Sequence, residues 1–134
     1  MTDEELLIST TLSDNWNTTN APLPKFYSTD EIKLHDFKNY SAIKIYLLNS
    51  PEAPKGLGYT SYQREVFLTV DIRTKDRTSV LQIRDEVKRI IKSFRKSLTG
   101  YDICKMTHER KVNSYINYYQ FIIEISLLKY RTTI

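Results

Sequence analysis

The spacing of apolar residues changes twice between Tyr62 and Tyr130, and this limits the chain to a sheet with a helix laid on it. Val66, Leu68, Val70 and Ile72 alternate with Phe67, Thr69, Asp71 and Arg73, the period of two expected of a strand with one inward face. Val80, Ile83, Val87, Ile90, Ile91, Phe94 and Leu98 then share one stripe of a helix. From Tyr118 the period of two returns and runs to Tyr130, with Tyr119, Phe121, Ile123, Ile125 and Leu127 inward. Gln120, Glu124 and Ser126 take the opposite face, with Ile122 and Leu128 as apolar exceptions. The expected class is α+β: a mostly antiparallel β-sheet, a long amphipathic helix on one face, and a short N-terminal helix followed by an arm.

Local signals set the expected boundaries. Asp76, Thr78 and Ser79 compete to cap the long helix, and Ser79 with Gln82 matches a capping box. Gly100 lies just past its end, where a left-handed residue is wanted. Upstream, Glu4 to Asn15 reads as a short helix anchored by Leu6, Leu7, Thr10 and Leu12, with Thr2 and Glu5 as its capping box. Asn15 to Pro24 is polar and interrupted by Pro22 and Pro24, so it reads as an extended arm or connector. Lys25 to Thr29 is a short strand and Ser41 to Asn49 a better one, with Ile43, Ile45 and Leu47 on one side. Ser50 to Ser61 holds Pro51, Pro54, Gly56 and Gly58 and reads as a flexible loop. Tyr101 to Met106 is a further strand, followed by a charged turn from Thr107 to Val112. Residues 1–134 thus form one domain: a helix and arm at 1–24, and an α+β core at 25–134 with a flexible loop at 50–61.

At 134 residues the chain can bury a core without staples. Cys104 is its sole cysteine, so no intrachain disulfide forms, and a buried, inert thiol in a reducing compartment is expected. No apolar run approaches the roughly 20 residues of a membrane span, and the start at Asp3, Glu4 and Glu5 is unlike a signal peptide. Three glycines, at 56, 58 and 100, cannot build a phosphate loop. His35 and His108 stand apart, and Cys104 and His108 fall on a strand and its turn, where a spacing of four does not bring them together as a zinc or nucleophile pair. Asp71, Asp102 and Glu124 read as solvent-facing strand residues rather than an acid–base pair. The expectation is a protein with no metal, cofactor or membrane partner, and not an enzyme.

Charge is unevenly spread. Residues 1–24 carry Asp3, Glu4, Glu5 and Asp14 with no basic residue, whereas residues 75–111 carry eleven Lys or Arg against five acids. Opposite charges on two segments suit complementary contacts, within the chain or between copies. Arg84, Lys88, Lys92, Arg95 and Lys96 recur at helical spacing opposite the apolar stripe, a surface for phosphates or an acidic partner; the plainer reading is a solvated helix face. Ten tyrosines are the other departure from ordinary composition. Tyrosine suits both half-buried sheet positions and interfaces. Candidate inter-subunit contacts are Trp16, Tyr115, Tyr118, Ile122, Leu128 and Tyr130, although a lone Trp at a helix-to-arm junction also serves as a packing plug.

The order of these elements resembles the tail terminator and tail completion proteins of tailed viruses, with related head–tail joining proteins of the neck. The resemblance rests on element order and pattern over residues 41–130. It runs through the strand from Ser41 to Leu48, the strand from Glu65 to Thr74, the helix opening at Val80, the turn from His108 to Val112 and the last strand from Tyr119 to Tyr130. It implies a ring-forming virion protein, commonly of six copies, made in the host cytoplasm. Such a ring ends the tail tube and docks to the head–tail connector, with DNA passing through its channel. No catalytic residues come with that family. A small nucleic-acid-binding domain that uses the basic helix face is the alternative.

Overall fold

The computed structural model describes residues 3–27, 41–49, 52–55, 61–110, 112–115 and 118–132. Among them are two helices, α1 (Asp3–Asn15) and α2 (Arg77–Ser93). Seven strands complete the described fold: β1 (Lys25–Tyr27), β2 (Ala42–Asn49), β3 (Glu52–Lys55), β4 (Ser61–Thr74), β5 (Ile103–Glu109), β6 (Asn113–Ser114) and β7 (Tyr119–Thr132). They form one sheet in the order β1-β2-β4-β7-β5, with β3 also on β4 and β6 also on β7. Only the β1–β2 pair is parallel, so the fold is α+β with a mostly antiparallel sheet.

Alternation dictates the inner face. Val66, Leu68, Val70 and Ile72 of β4 stand opposite Leu127, Ile125, Ile123 and Phe121 of β7, and all are buried. Ile43 and Ile45 of β2 extend these rows on one side and Cys104 of β5 on the other. α2 closes this face with Val80, Ile83, Val87, Ile90 and Ile91, the stripe its spacing predicts. Its N-cap is Asp76, whose Oδ1 accepts the Ser79 amide at 2.7 Å and whose pKa is lowered by that bonding. The helix ends at Ser93, so Phe94 to Leu98, expected inside it, instead turn back toward β5. The arginine and lysine at 95 and 96 therefore sit past the helix. Gly100 takes a φ of +85°, as expected of a residue just beyond a helix.

Three expectations are corrected. First, residues 50–61 are not simply a loop: Glu52–Lys55 form β3 and Ser61 opens β4, while 50–51 and 56–60 lie outside the described residues. Asn49 faces Phe67 and Glu52 faces Arg64, three residues further along each strand, so β3 prolongs β2 in one register along β4. Pro54 is tolerated because β3 borders the sheet. β4 and β7 pair over fourteen positions, about 46 Å of strand, whereas α2 is about 25 Å long. Second, α1 is held by Ile8 and Leu12, both fully buried; Leu6 is exposed, and Thr11 rather than Thr10 faces in. Third, β5 runs on to Glu109, so the charged turn is shorter than expected. The expected strand end at Thr29, the capping role of Thr2, and His35 fall outside the described residues.

Candidate functional site

Three carboxylates are buried among the described residues, Glu5, Asp71 and Glu86, and the last two each organise a polar network. Glu86, on α2, has 2% of its surface exposed. It accepts Arg89 Nε at 2.6 Å and Nη2 at 2.9 Å, the Asn17 amide at 2.6 Å, and Asn20 Nδ2 at 3.1 Å. Arg89 Nη2 also donates to the Asn15 carbonyl at 2.9 Å. This charge-assisted bonding, led by Arg89, lowers the Glu86 pKa from 4.5 to about 2 despite burial. The segment following α1 is thus latched to α2 and is not a free arm. Trp16 fits the packing-plug reading: its Nε1 donates to the Ala21 carbonyl at 3.2 Å, and its ring meets Phe26 edge-on at 6.0 Å. The acidic head is also partly committed within the chain, since Glu5 Oε2 accepts the Leu47 amide and Glu4 Oε1 the Tyr101 hydroxyl.

Asp71 is buried as well, and the expectation that it faces solvent is wrong: only 4% of it is exposed. It accepts Arg73 through both oxygens, at 3.1 and 3.4 Å, and Gln120 Nε2 at 3.0 Å. Gln120 Oε1 in turn accepts the Tyr115 hydroxyl at 3.2 Å. The Tyr115 and Tyr118 rings stack at 4.7 Å, and the Arg73 guanidinium lies 5.2 Å from the centre of the Tyr118 ring. β4 and β7 make this possible by placing Arg73 directly opposite Gln120. The result is an ordered platform of two tyrosines and an arginine, with Tyr115 47% exposed at its rim. The tyrosine pair was visible in the sequence. The buried acid and the arginine beneath it were not, because alternation assigns a face without reporting burial.

The other predicted contacts separate. Ile122 is half-buried, Leu128 is buried within the chain, and the Tyr130 side chain lies outside the described residues. Glu124 pairs with Arg110 at 3.7 Å, and Asp102 is exposed. The basic set divides as well. Arg84 pairs with Asp85 at 2.9 Å and rests over the Phe121 ring, while Lys88 bonds Glu109 across to β5 at 2.8 Å. Lys92, Arg95 and Lys96 are exposed and make no ion pair among the described residues.

Two cavities open where α2 meets β5. One, of about 510 Å³, is lined by Arg77, Leu81, Arg84, Glu109, Arg110, Val112 and Phe121. The other, of about 310 Å³, is lined by Ile91, Lys92, Arg95, Cys104, Lys105 and Met106. Burial pushes the Cys104 thiol up to about 12, so it is a poor nucleophile at neutral pH. No group of three or more His, Cys, Asp or Glu suited to a metal is found among the described residues. No helix there is long and apolar enough to cross a membrane. No known family model matches this chain, and no curated protein does either.

Proposed function

We propose that this protein is a structural assembly component, a ring-forming tail terminator or neck protein that joins a viral tail tube to the head connector. The observation that carries the reading is the Tyr115–Tyr118–Arg73 platform. Tyrosine and arginine are the residues most enriched at the centres of protein interfaces, and rigid side chains lose little entropy when a partner binds. Here the arginine is fixed by a buried aspartate and the tyrosines by stacking and by Gln120. A ring needs two unlike patches on each subunit, since its contacts run head to tail. The second we take from the exposed Leu6 of α1 and Leu48 of β2, next in sequence to the bonded Glu5 and Leu47. Such a ring is built from identical copies and takes no cofactor.

Light scattering coupled to size exclusion, at low and high salt, tests this reading. The expected mass is a discrete multiple of 15.8 kDa, near six copies, that persists in high salt because apolar and aromatic contacts hold it. Tyr115→Glu is expected to return the particle to single subunits. A wild-type protein that stays monomeric both alone and with purified tail tubes would refute the proposal.

A further inference from the structure

We propose that the cavity of about 310 Å³ between the end of α2 and β5 binds a small amphipathic anion, an oxyanion head carried on a short apolar body. Its floor and its rim differ in chemistry. Ile91 of α2 and Cys104 of β5 are buried and belong to the core, and the half-buried Met106 packs against that core. Cys104 and Met106 are two apart on the strand, so both take the face turned to α2. Lys92, in the last turn of α2, and Arg95, just beyond it, line the same cavity from the helix side. Both are exposed, and neither makes an ion pair among the described residues. No acid is found among the described residues that line this cavity. Lys105 alternates to the other face of β5, so the site for the anionic head rests on Lys92 and Arg95.

The ends of the cavity set the size of its occupant. One helical turn before Lys92, the Lys88–Glu109 bond of 2.8 Å spans the space between helix and strand and neutralises Glu109. At the other end the turn after α2 comes back to β5, where the Cys104 amide donates to the Arg95 carbonyl at 2.8 Å. No polymer can run through a space closed in this way, whereas a small molecule can sit in it. At roughly 30 Å³ per water-sized group the cavity holds about ten, the size of an eight-carbon fatty acid. The end of a helix ordinarily repels an anion through its free carbonyls. Here those of Ile90, Ile91 and Lys92 already accept the Phe94 amide, and that of Lys92 also accepts the Arg95 amide. The same bonds fix the backbone at Arg95, so its guanidinium is placed to meet two oxygens of a carboxylate or phosphate beside the point charge of Lys92. The apolar body then covers Ile91, Cys104 and Met106.

Met106 makes the test direct. The chain has two methionines, so carbon-13 labelling of their methyl groups gives one signal from the cavity wall and a second, from Met1, as reference. Octanoate is expected to move the Met106 signal saturably and to leave the Met1 signal in place. Butyrate keeps the charge and loses most of the tail, and octanol keeps the tail and loses the charge. Each should bind about tenfold more weakly than octanoate, or worse. Octyl phosphate identifies the head: tighter binding than octanoate assigns a phosphate, weaker binding a carboxylate, and either order supports the site. Lys92→Gln with Arg95→Gln should weaken octanoate about tenfold without changing octanol. Lys96→Gln, which lines neither cavity described, should alter nothing. All three positions are exposed, so the variants keep the fold, and circular dichroism checks this. A Met106 signal unmoved by both octanoate and octyl phosphate would overturn the proposal. So would octanol binding as tightly as octanoate, or a double variant that binds octanoate like wild type. The site shares no residue with the tyrosine platform, and methyl signals report on single subunits and assemblies alike, so the result stands apart from whether a ring forms.

Discussion

On β4, even-numbered residues from Val66 to Ile72 face the two helices and odd-numbered residues face away, and the two sets are held by different physics. The inner set is aliphatic throughout and continues across β2 and β7 in matched rows. Its stabilisation follows the area removed from water and depends little on direction. The outer set contains Thr69 and Asp71, both nearly inaccessible, and across the pair Ser126 is buried with its hydroxyl donating to Glu65 at 2.7 Å. Here the buried Asp71 and Ser126 are tolerated because each has a hydrogen-bond partner, so geometry matters more than area. The inner face therefore fixes that the chain folds, and the outer face fixes where particular side chains stand.

The largest effect should come from hollowing the inner face. Ile123 is fully buried opposite Val70, so Ile123→Ala removes most of a side chain and leaves a cavity, costing about 3 kcal/mol. Urea unfolding followed by circular dichroism measures this as a lower midpoint with unchanged slope. A cost comparable to an outer-face change would break the distinction.

Glu86 gives the next effect, and it depends on pH. Its pKa falls from 4.5 to about 2 on folding, so its contribution is fully present above about pH 4.5 and is lost as pH drops through about 2. Glu86→Gln removes the charge from its bonds to Arg89 and to the Asn17 amide, costing about 2 kcal/mol at neutral pH. Trp16, the only tryptophan, sits beside the latch and reports release as a red shift in emission. Wild type should shift between about pH 4.5 and 2. The variant should be shifted at neutral pH and show little further change.

How far each region could be read from the sequence follows from the same contrast. Strand alternation and the helical stripe report hydrophobic area, and they placed every inner-face residue from Val66 to Ile72, Phe121 to Leu127 and Val80 to Ile91. They do not report long-range polar pairing. Nothing local marks Glu86 as buried: beyond Arg89, three residues on, its partners Asn20 and Asn17 lie 66 and 69 residues away. Asp71 looked exposed because its apolar neighbours Val70 and Ile72 already define the inner face. β3 was missed because proline and glycine near Glu52 to Lys55 signalled a loop, a local preference that pairing with the long β4 overrides. Ile8 was missed because α1 has almost no amphipathic bias, so nothing local singled out its buried side.

A smaller loss is expected from Asp71→Asn. The amide keeps the shape and can still bond Gln120, but the charge that holds Arg73 is gone, costing about 1 kcal/mol. The more telling readout is order: the Arg73 and Tyr118 signals in nuclear magnetic resonance spectra should broaden or multiply. Single sharp signals in the variant would show that the platform does not depend on its buried acid.

The smallest effect on folding should come from Tyr115→Ala, which makes it the sharpest test of the contrast. Tyr115 is 47% exposed, and its two ties are a ring stacked on Tyr118 and one hydrogen bond to Gln120. Removing it opens no cavity in the aliphatic core and leaves Gln120 bonded to Asp71, so about 0.5 kcal/mol should be lost. An interface anchor behaves oppositely in assembly, where truncating a central tyrosine costs about 2 kcal/mol or more per contact. Denaturant titration of the subunit and light scattering of the assembled particle measure the two quantities on one variant. A subunit of near wild-type stability that no longer assembles would place Tyr115 at a contact between copies. Equal losses in both would mean that the platform holds only its own fold together.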